Sequence, residues 1–173
     1  MNTSQLEYIF KNDTVCDDVF EGVFPSDKIV KLRARKPMAC IVNTDPSSMP
    51  GSHWIAMHID HHGYGQFFDS YGNQPSYYGR VFVNFLNRRC KSWTFNAVGL
   101  QGPFSATCGQ FCTFYLWHKC RDVPLSEIIR SFTTDKELND VMVNEFVRKK
   151  FPLETKVYDM DIVGKQIAVA LSE

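Results

Sequence analysis

The sequence predicts an α+β fold, one apolar helix packed against a sheet, and three stretches carry that reading. Cys108 to about Lys119 is almost wholly apolar and follows a Gly102-Pro103 break, with Ser105 and Thr107 as candidate N-caps, so it reads as a buried helix. Met38 to Thr44 is a continuous apolar run between Pro37 and a loop reaching Gly51, the pattern of a central strand buried on both faces. His53, Ile55, Met57 and Ile59 alternate with Trp54, Ala56, His58 and Asp60, and Asp60-His61-His62-Gly63 then turns the chain into a return strand, Gly65 to Ser70. With 173 residues, 44% of them hydrophobic, the chain is long enough for one domain with a sizeable core, 1–173, and too short for two.

The remaining elements follow in order. Residues 4–11 place Leu6, Ile9 and Phe10 on one helical face, with Ser4 as a cap. Asp17 to Asp27 reads as irregular, broken by Gly22 and Pro25. Pro75-Ser76 opens a helix to about Arg89 whose inner face is Tyr78, Val81, Phe82, Phe85 and Leu86. Lys91 to Leu100 alternates Trp93, Phe95 and Ala97 against Lys91, Thr94 and Asn96, a half-buried strand. Leu125 to Phe132 is a short helix. Thr134-Asp135-Lys136-Glu137 resembles a capping box for a longer helix through Lys149, with the stripe Leu138, Val141, Met142 and Phe146. A last amphipathic segment near Asp161 to Leu171 docks on the body, and these C-terminal elements read as scaffold.

Lysine plus arginine balance aspartate plus glutamate at 19 each, which excludes an overall electrostatic bias toward nucleic acid or membrane and leaves only local patches. The densest is Lys28, Lys31, Arg33, Arg35 and Lys36, which could engage phosphates on a face shared with Arg88, Arg89 and Lys91. Six cysteines show no regular framework, and the start has no basic region leading into an apolar one, so a reducing intracellular compartment is expected. No apolar run approaches the length of a membrane span.

Chemistry concentrates at Cys108. A thiol in the first turn of a helix feels the positive end of the dipole and unpaired amides, which favour thiolate. The same amides point at any carbonyl the sulfur attacks, and the Gln101 side-chain amide could fold back as a neutral oxyanion donor. A base is still needed. If the hairpin centres near His61 or His62, His53 and Asp69 project from one face as direct or diagonal neighbours. The imidazole would take the thiol proton while the carboxylate fixes its tautomer.

The order His53, Asp69, Gln101, Cys108, with Ala39-Cys-Ile-Val-Asn-Thr44, Gly51-Ser-His-Trp-Ile-Ala-Met57, Phe67-Phe-Asp-Ser-Tyr-Gly72 and Leu100-Gln-Gly-Pro-Phe-Ser-Ala-Thr-Cys-Gly109, resembles the adenovirus-type cysteine proteases (adenain) and their clan, which includes the ubiquitin-like-protein proteases. The resemblance covers roughly residues 17–120. It implies a cysteine-protease fold whose central helix carries the nucleophile against a mixed β-sheet carrying His and Asp, with further helices around it. It implies Cys108 as nucleophile, His53 as general base, Asp69 as the residue orienting it and Gln101 as oxyanion donor. The implied activity is endopeptidase cleavage of viral capsid or core precursors at sites with glycine near the scissile bond, by a monomer in the host nucleus and virion, with no metal or organic cofactor. Family enzymes are stimulated by DNA and by a short peptide held through a disulfide, and Cys90 falls where that pairing would occur. Asp69 stands where adenovirus enzymes commonly carry Glu. Two other readings stay open: a protease of the same clan acting on ubiquitin or a related modifier, and a non-enzymatic metal-binding module using Cys108, Cys112, His118, Cys120 and the His58, His61, His62 cluster, whose spacing is poor for zinc.

Overall fold

The computed structural model describes residues 1–32 and 36–151. Five strands, β1 (Phe20–Pro25), β2 (Met38–Asn43), β3 (Trp54–Ile59), β4 (Tyr64–Phe68) and β5 (Ser92–Phe95), form one sheet in chain order. The outer pairs β1–β2 and β4–β5 are parallel and the inner pairs antiparallel, so the sheet is mixed. The helices are α1 (Thr3–Lys11), α2 (Arg80–Arg89), α3 (Cys108–Lys119), α4 (Leu125–Arg130) and α5 (Lys136–Lys150). A parallel pair needs a crossover, and α2 supplies it between β4 and β5.

Each face of the sheet has its own core. Ala39 and Ile41 of β2 join Ala56, Phe68 and the α3 side chains Phe111, Tyr115 and Leu116, while Met38, Cys40 and Val42 join Ile55, Met57 and Phe82, Phe85 and Leu86 of α2. β2 is therefore apolar from Met38 to Val42 because it faces a core on both sides. α3 packs on β3, α4 and α5, and Phe111, Cys112, Thr113, Tyr115 and Leu116 are fully buried. Tyr115 stacks on Phe68 with centroids 4.4 Å apart, and burial of each such large side chain contributes roughly 1.5–3 kcal/mol. That packing holds the N-terminus of α3 against the end of the sheet.

Several local expectations change. α1 is capped by Asn2, not Ser4, through a capping box with Gln5. The stretch expected to be irregular contains β1, an edge strand whose pairing with β2 shifts register between Phe20 and Gly22. The Pro75–Arg89 helix is two pieces, a 3₁₀ turn over Pro75–Tyr78 and α2, separated by Gly79 at φ +117°. β5 ends at Phe95, after which Asn96 is buried and Ala97 exposed, the reverse of the alternation. α4 stops at Arg130. α5 is capped by Asp135, and it buries Asn139, Asp140, Val143 and Val147 while Leu138 and Val141 are 52% and 57% exposed. The segment near Asp161 to Leu171 and the basic residues Arg33 and Arg35 lie outside the described residues. No helix among those described is long and apolar enough to cross a membrane.

Candidate active site

Cys108 is the first residue of α3, where backbone amides have no intrahelical partner; the first bond runs from Phe111 N–H to the Thr107 carbonyl, 3.0 Å. Thr107 occupies the N-cap but its side chain does not cap the helix. Its hydroxyl donates instead to Asp140 Oδ1 at 2.6 Å, so the first-turn amides stay available to a ligand.

The hairpin register pairs Ala56 with Phe68 and Ile59 with Gly65; continued outward, it sets Asp69 opposite Ile55 and so diagonal to His53. His53 Nε2–H donates to Asp69 Oδ1 over 2.6 Å. With Nε2 committed, Nδ1 is the ring nitrogen left for the thiol, and His53 and Cys108 are close enough that each shifts the other's ionisation. Asp69 is fully buried and held from several sides. It accepts from Tyr71 N–H at 3.1 Å, Asn73 N–H at 2.8 Å and the Tyr78 hydroxyl at 2.9 Å. Asn96 bonds both its backbone N–H and its carbonyl, at 2.8 and 2.6 Å. The rings of Tyr71 and Tyr78 lie 4.9 and 5.6 Å from the imidazole.

Electrostatics follow from these contacts. Burial pulls the His53 imidazole down, but its hydrogen bonds to Asp69 and Cys108, with their negative charge, prevail and raise it to about 9. Burial pushes the Cys108 thiol up, yet the His53 hydrogen bond, the Trp54 backbone amide and the His53 charge bring it below its ordinary value. Asp69, despite burial, is held below the usual carboxylate range chiefly by His53. The site thus favours a thiolate–imidazolium pair. Cys112, one helical turn on, is fully buried and pushed well up, which makes it an inert core residue.

Gln101 is 1% exposed. Its Oε1 accepts from Ser70 Oγ at 2.6 Å and its Nε2 donates to the Ser105 carbonyl at 2.8 Å. A carbonyl can only accept, so these two bonds fix which way the amide faces and leave one Nε2 hydrogen uncommitted by them. His53, Gln101 and Cys108 line one cleft of about 690 Å³, walled by the end of β1 and by the loop from Asp45 to Ser52. The structure thus unites all four expected residues. Cys90 is not among the cleft-lining residues; it caps the C-terminus of α2, half-buried against Gly65, and burial pushes its thiol up to about 11. Among the described residues no three His, Cys, Asp or Glu side chains gather as a metal-holding group. Sequence reasoning gave no site role to Ser70 or Asn73, whose only local signal was the run Asp69-Ser-Tyr-Gly-Asn73, nor to Tyr78 and Asn96, which it read as packing and strand residues, and it missed Asp140 entirely.

By architecture, a thiol at a helix N-terminus facing a carboxylate-bound imidazole on a mixed sheet is the arrangement of a nucleophilic cysteine centre. The chain belongs to the adenovirus endoprotease family, whose model matches residues 18–138. It is 27% identical over 150 residues to a cysteine protease of African swine fever virus, covering 80% of this chain and 54% of that protein. It is also 27% identical over 122 residues to the protease of bovine adenovirus 7, covering 64% of this chain and 60% of that protein. The crystal structure of an African swine fever virus protease superposes with a TM-score of 0.60 at 16% identity, over 82% of this chain and 65% of that one, which shows the shared fold. The chain spans little more than half the length of the curated relatives it matches.

Proposed function

We propose that the protein is a viral cysteine endopeptidase that processes capsid or core precursors through a thioester on Cys108, at sites with glycine near the scissile bond. The observation that carries this reading is the Asp69–His53 hydrogen bond with Cys108 beside the imidazole at the wall of an open cleft. The thiolate adds to the peptide carbonyl carbon, and the oxygen takes up the negative charge facing the Cys108 amide and Gln101 Nε2. The His53 imidazolium gives its proton to the departing amine as the C–N bond breaks. Neutral His53 then takes a proton from water, whose oxygen displaces the sulfur and restores the ion pair.

Family membership supports the precursor substrates, the glycine preference and the setting in host nucleus and virion, and six free thiols are in keeping with a reducing compartment. An activating peptide would pair through Cys90. For DNA, support comes from the basic run: Lys36 and Lys91 both reach the Gly63 turn, and the Arg89 guanidinium donates to the Leu32 carbonyl, so the two basic segments meet on one face. A second reading, cleavage of a ubiquitin-like modifier, is favoured by one relative, a SUMO-1 cysteine protease of African swine fever virus that is 28% identical over 150 residues.

The test incubates wild type and Cys108→Ala with glycine-containing capsid-precursor peptides and with a SUMO-1 precursor, each with and without short DNA. Cleavage of the viral peptides by wild type alone, with stimulation by DNA that disappears as salt rises, is expected. Equal cleavage by both proteins would remove the mechanism, and processing of the modifier alone would transfer the function to the second reading.

A further inference from the structure

We infer that Asp140, on α5, is a positioning residue for the oxyanion site, holding the loop between Gln101 and Cys108 in its working shape. Its carboxylate accepts from three groups of that loop: Gly102 N–H at 3.2 Å on Oδ2, and Ser105 Oγ at 2.9 Å and Thr107 Oγ1 at 2.6 Å on Oδ1. The two hydroxyl oxygens also lie 2.7 Å apart, so either hydroxyl can turn its single proton from the carboxylate to the other. The neighbouring Asn139 donates from Nδ2 to the Leu100 carbonyl at 3.0 Å, so α5 grips the chain on both sides of Gln101. Asn139 and Asp140 are 1% and 9% exposed on a helix whose neighbouring apolar residues face solvent, which means the helix is turned to present these two polar groups.

The grip explains three residues of the Gln-Gly-Pro-Phe-Ser-Ala-Thr-Cys run. A Cβ at Gly102 would come within 2.6 Å of Asp140 Oδ2, so any larger residue would have to push the carboxylate away from this amide. Ser105 and Thr107 spend their hydroxyls on Asp140 rather than on capping α3. Ser105 in turn offers its carbonyl to Gln101 Nε2. The carboxylate therefore acts on the oxyanion donors through the loop, and its hydrogen bonds go to the loop rather than to His53 or Cys108.

This inference rests on the proposed thioester chemistry, and its test reads the oxyanion site separately from peptide cleavage. Asp140→Ala is expected to lower kcat about 10- to 100-fold with KM within about threefold, because the donors act on charge that develops only in the transition state. Affinity for a peptide aldehyde, whose oxygen occupies the same site once the Cys108 sulfur has added to its carbonyl carbon, should fall in parallel. The pH dependence of Cys108 alkylation by iodoacetamide should match wild type, since the Asp69–His53–Cys108 chain is untouched. Asp140→Asn and Thr107→Val, which remove one acceptor and one donor, should show the same split to a smaller degree and carry the test if Asp140→Ala does not fold. Unchanged kcat and aldehyde affinity in the folded variants would overturn the inference. So would alkylation that collapses together with kcat, which would make Asp140 a support of the fold as a whole. A wild type that captures the aldehyde yet cleaves none of the offered peptides would sink the proposed substrates and leave this comparison intact.

Discussion

Replacing Asp69 with asparagine tests the polar centre at its most buried point. The rise of His53 from 6.5 to about 9 corresponds to about 3 kcal/mol favouring imidazolium, achieved against the burial that opposes it. The introduced carboxamide can keep its oxygen toward Asn73 N–H and the Tyr78 hydroxyl, which places its NH₂ against His53 Nε2. Nε2 must then accept, the ring proton moves to Nδ1, and that proton points at the thiol the ring should deprotonate. Were His53 to fall back to 6.5, its protonated fraction at pH 8 would drop about thirtyfold, and the wrong tautomer adds to the loss. We expect kcat/KM to fall roughly 10³-fold at pH 8, with the upper limb of the pH profile moving down from about 9. The assay is kcat/KM against pH, paired with iodoacetamide alkylation of Cys108 over the same range. A variant that keeps more than a third of wild-type kcat/KM at pH 8, with its upper limb still near 9, would refute the reasoning. The same shift has a stability sign: a group raised on folding contributes fully below 6.5 and loses that contribution as pH rises through about 9, so wild type should soften in denaturant melts across that window while Asp69→Asn should not.

Two further outcomes follow from named contacts. Gln101→Ala should lower kcat about 10²- to 10³-fold with little change in KM, measured by steady-state kinetics, since the lost donor acts on the oxyanion; a loss confined to KM would remove Gln101 from that role. His58 is buried between the sheet and α3, with Nδ1 unpartnered, and burial, helped by the Lys119 charge and opposed by Asp60 and Asp122, lowers it to about 4. A group depressed on folding gives stability above 6.5 that is lost as pH falls through about 4, on the order of 3 kcal/mol, so the Tm of His58→Leu should fall less steeply than wild type between pH 6.5 and 4. Parallel slopes would contradict that account.

The elements of the candidate site were legible because each is written in a local pattern. A helix apolar on every side must be buried, a thiol at its first turn meets the dipole, and a hairpin's period of two fixes which side chains share a face. Those rules put Cys108 at a helix start and made Asp69 a direct or diagonal neighbour of His53; the structure's register makes it diagonal and closes a 2.6 Å hydrogen bond. β1 was missed because its parallel partner lies on another segment and its pairing is interrupted near Gly22, so no short-range periodicity marks it. The residues that fix Asp69 were hidden in the same way. Asn96 sits one residue beyond β5, where the strand alternation assigned it to solvent, and only its pairing with the Asp69 backbone accounts for its burial.

The helix α5 shows the general cause. Hydrophobic periodicity chose a face through Leu138, Val141, Met142 and Phe146; Met142 and Phe146 do pack on the core, but Leu138 and Val141 are exposed while Asn139 and Asp140 point inward. A face chosen from apolar residues alone counts those two side chains as votes for solvent. In the structure they are among the best-bonded polar groups of the fold, satisfied by Leu100, Thr133, Gly102, Ser105 and Thr107. Burying them is tolerable because the loop and Thr133 supply those partners, and the loop's own polar groups are satisfied by them in return. Such mutual dependence links two segments distant in the chain and leaves no trace in either one alone. It also puts the departure from the sequence pattern beside the loop between Gln101 and Cys108, at the candidate site, where local rules are expected to yield to function.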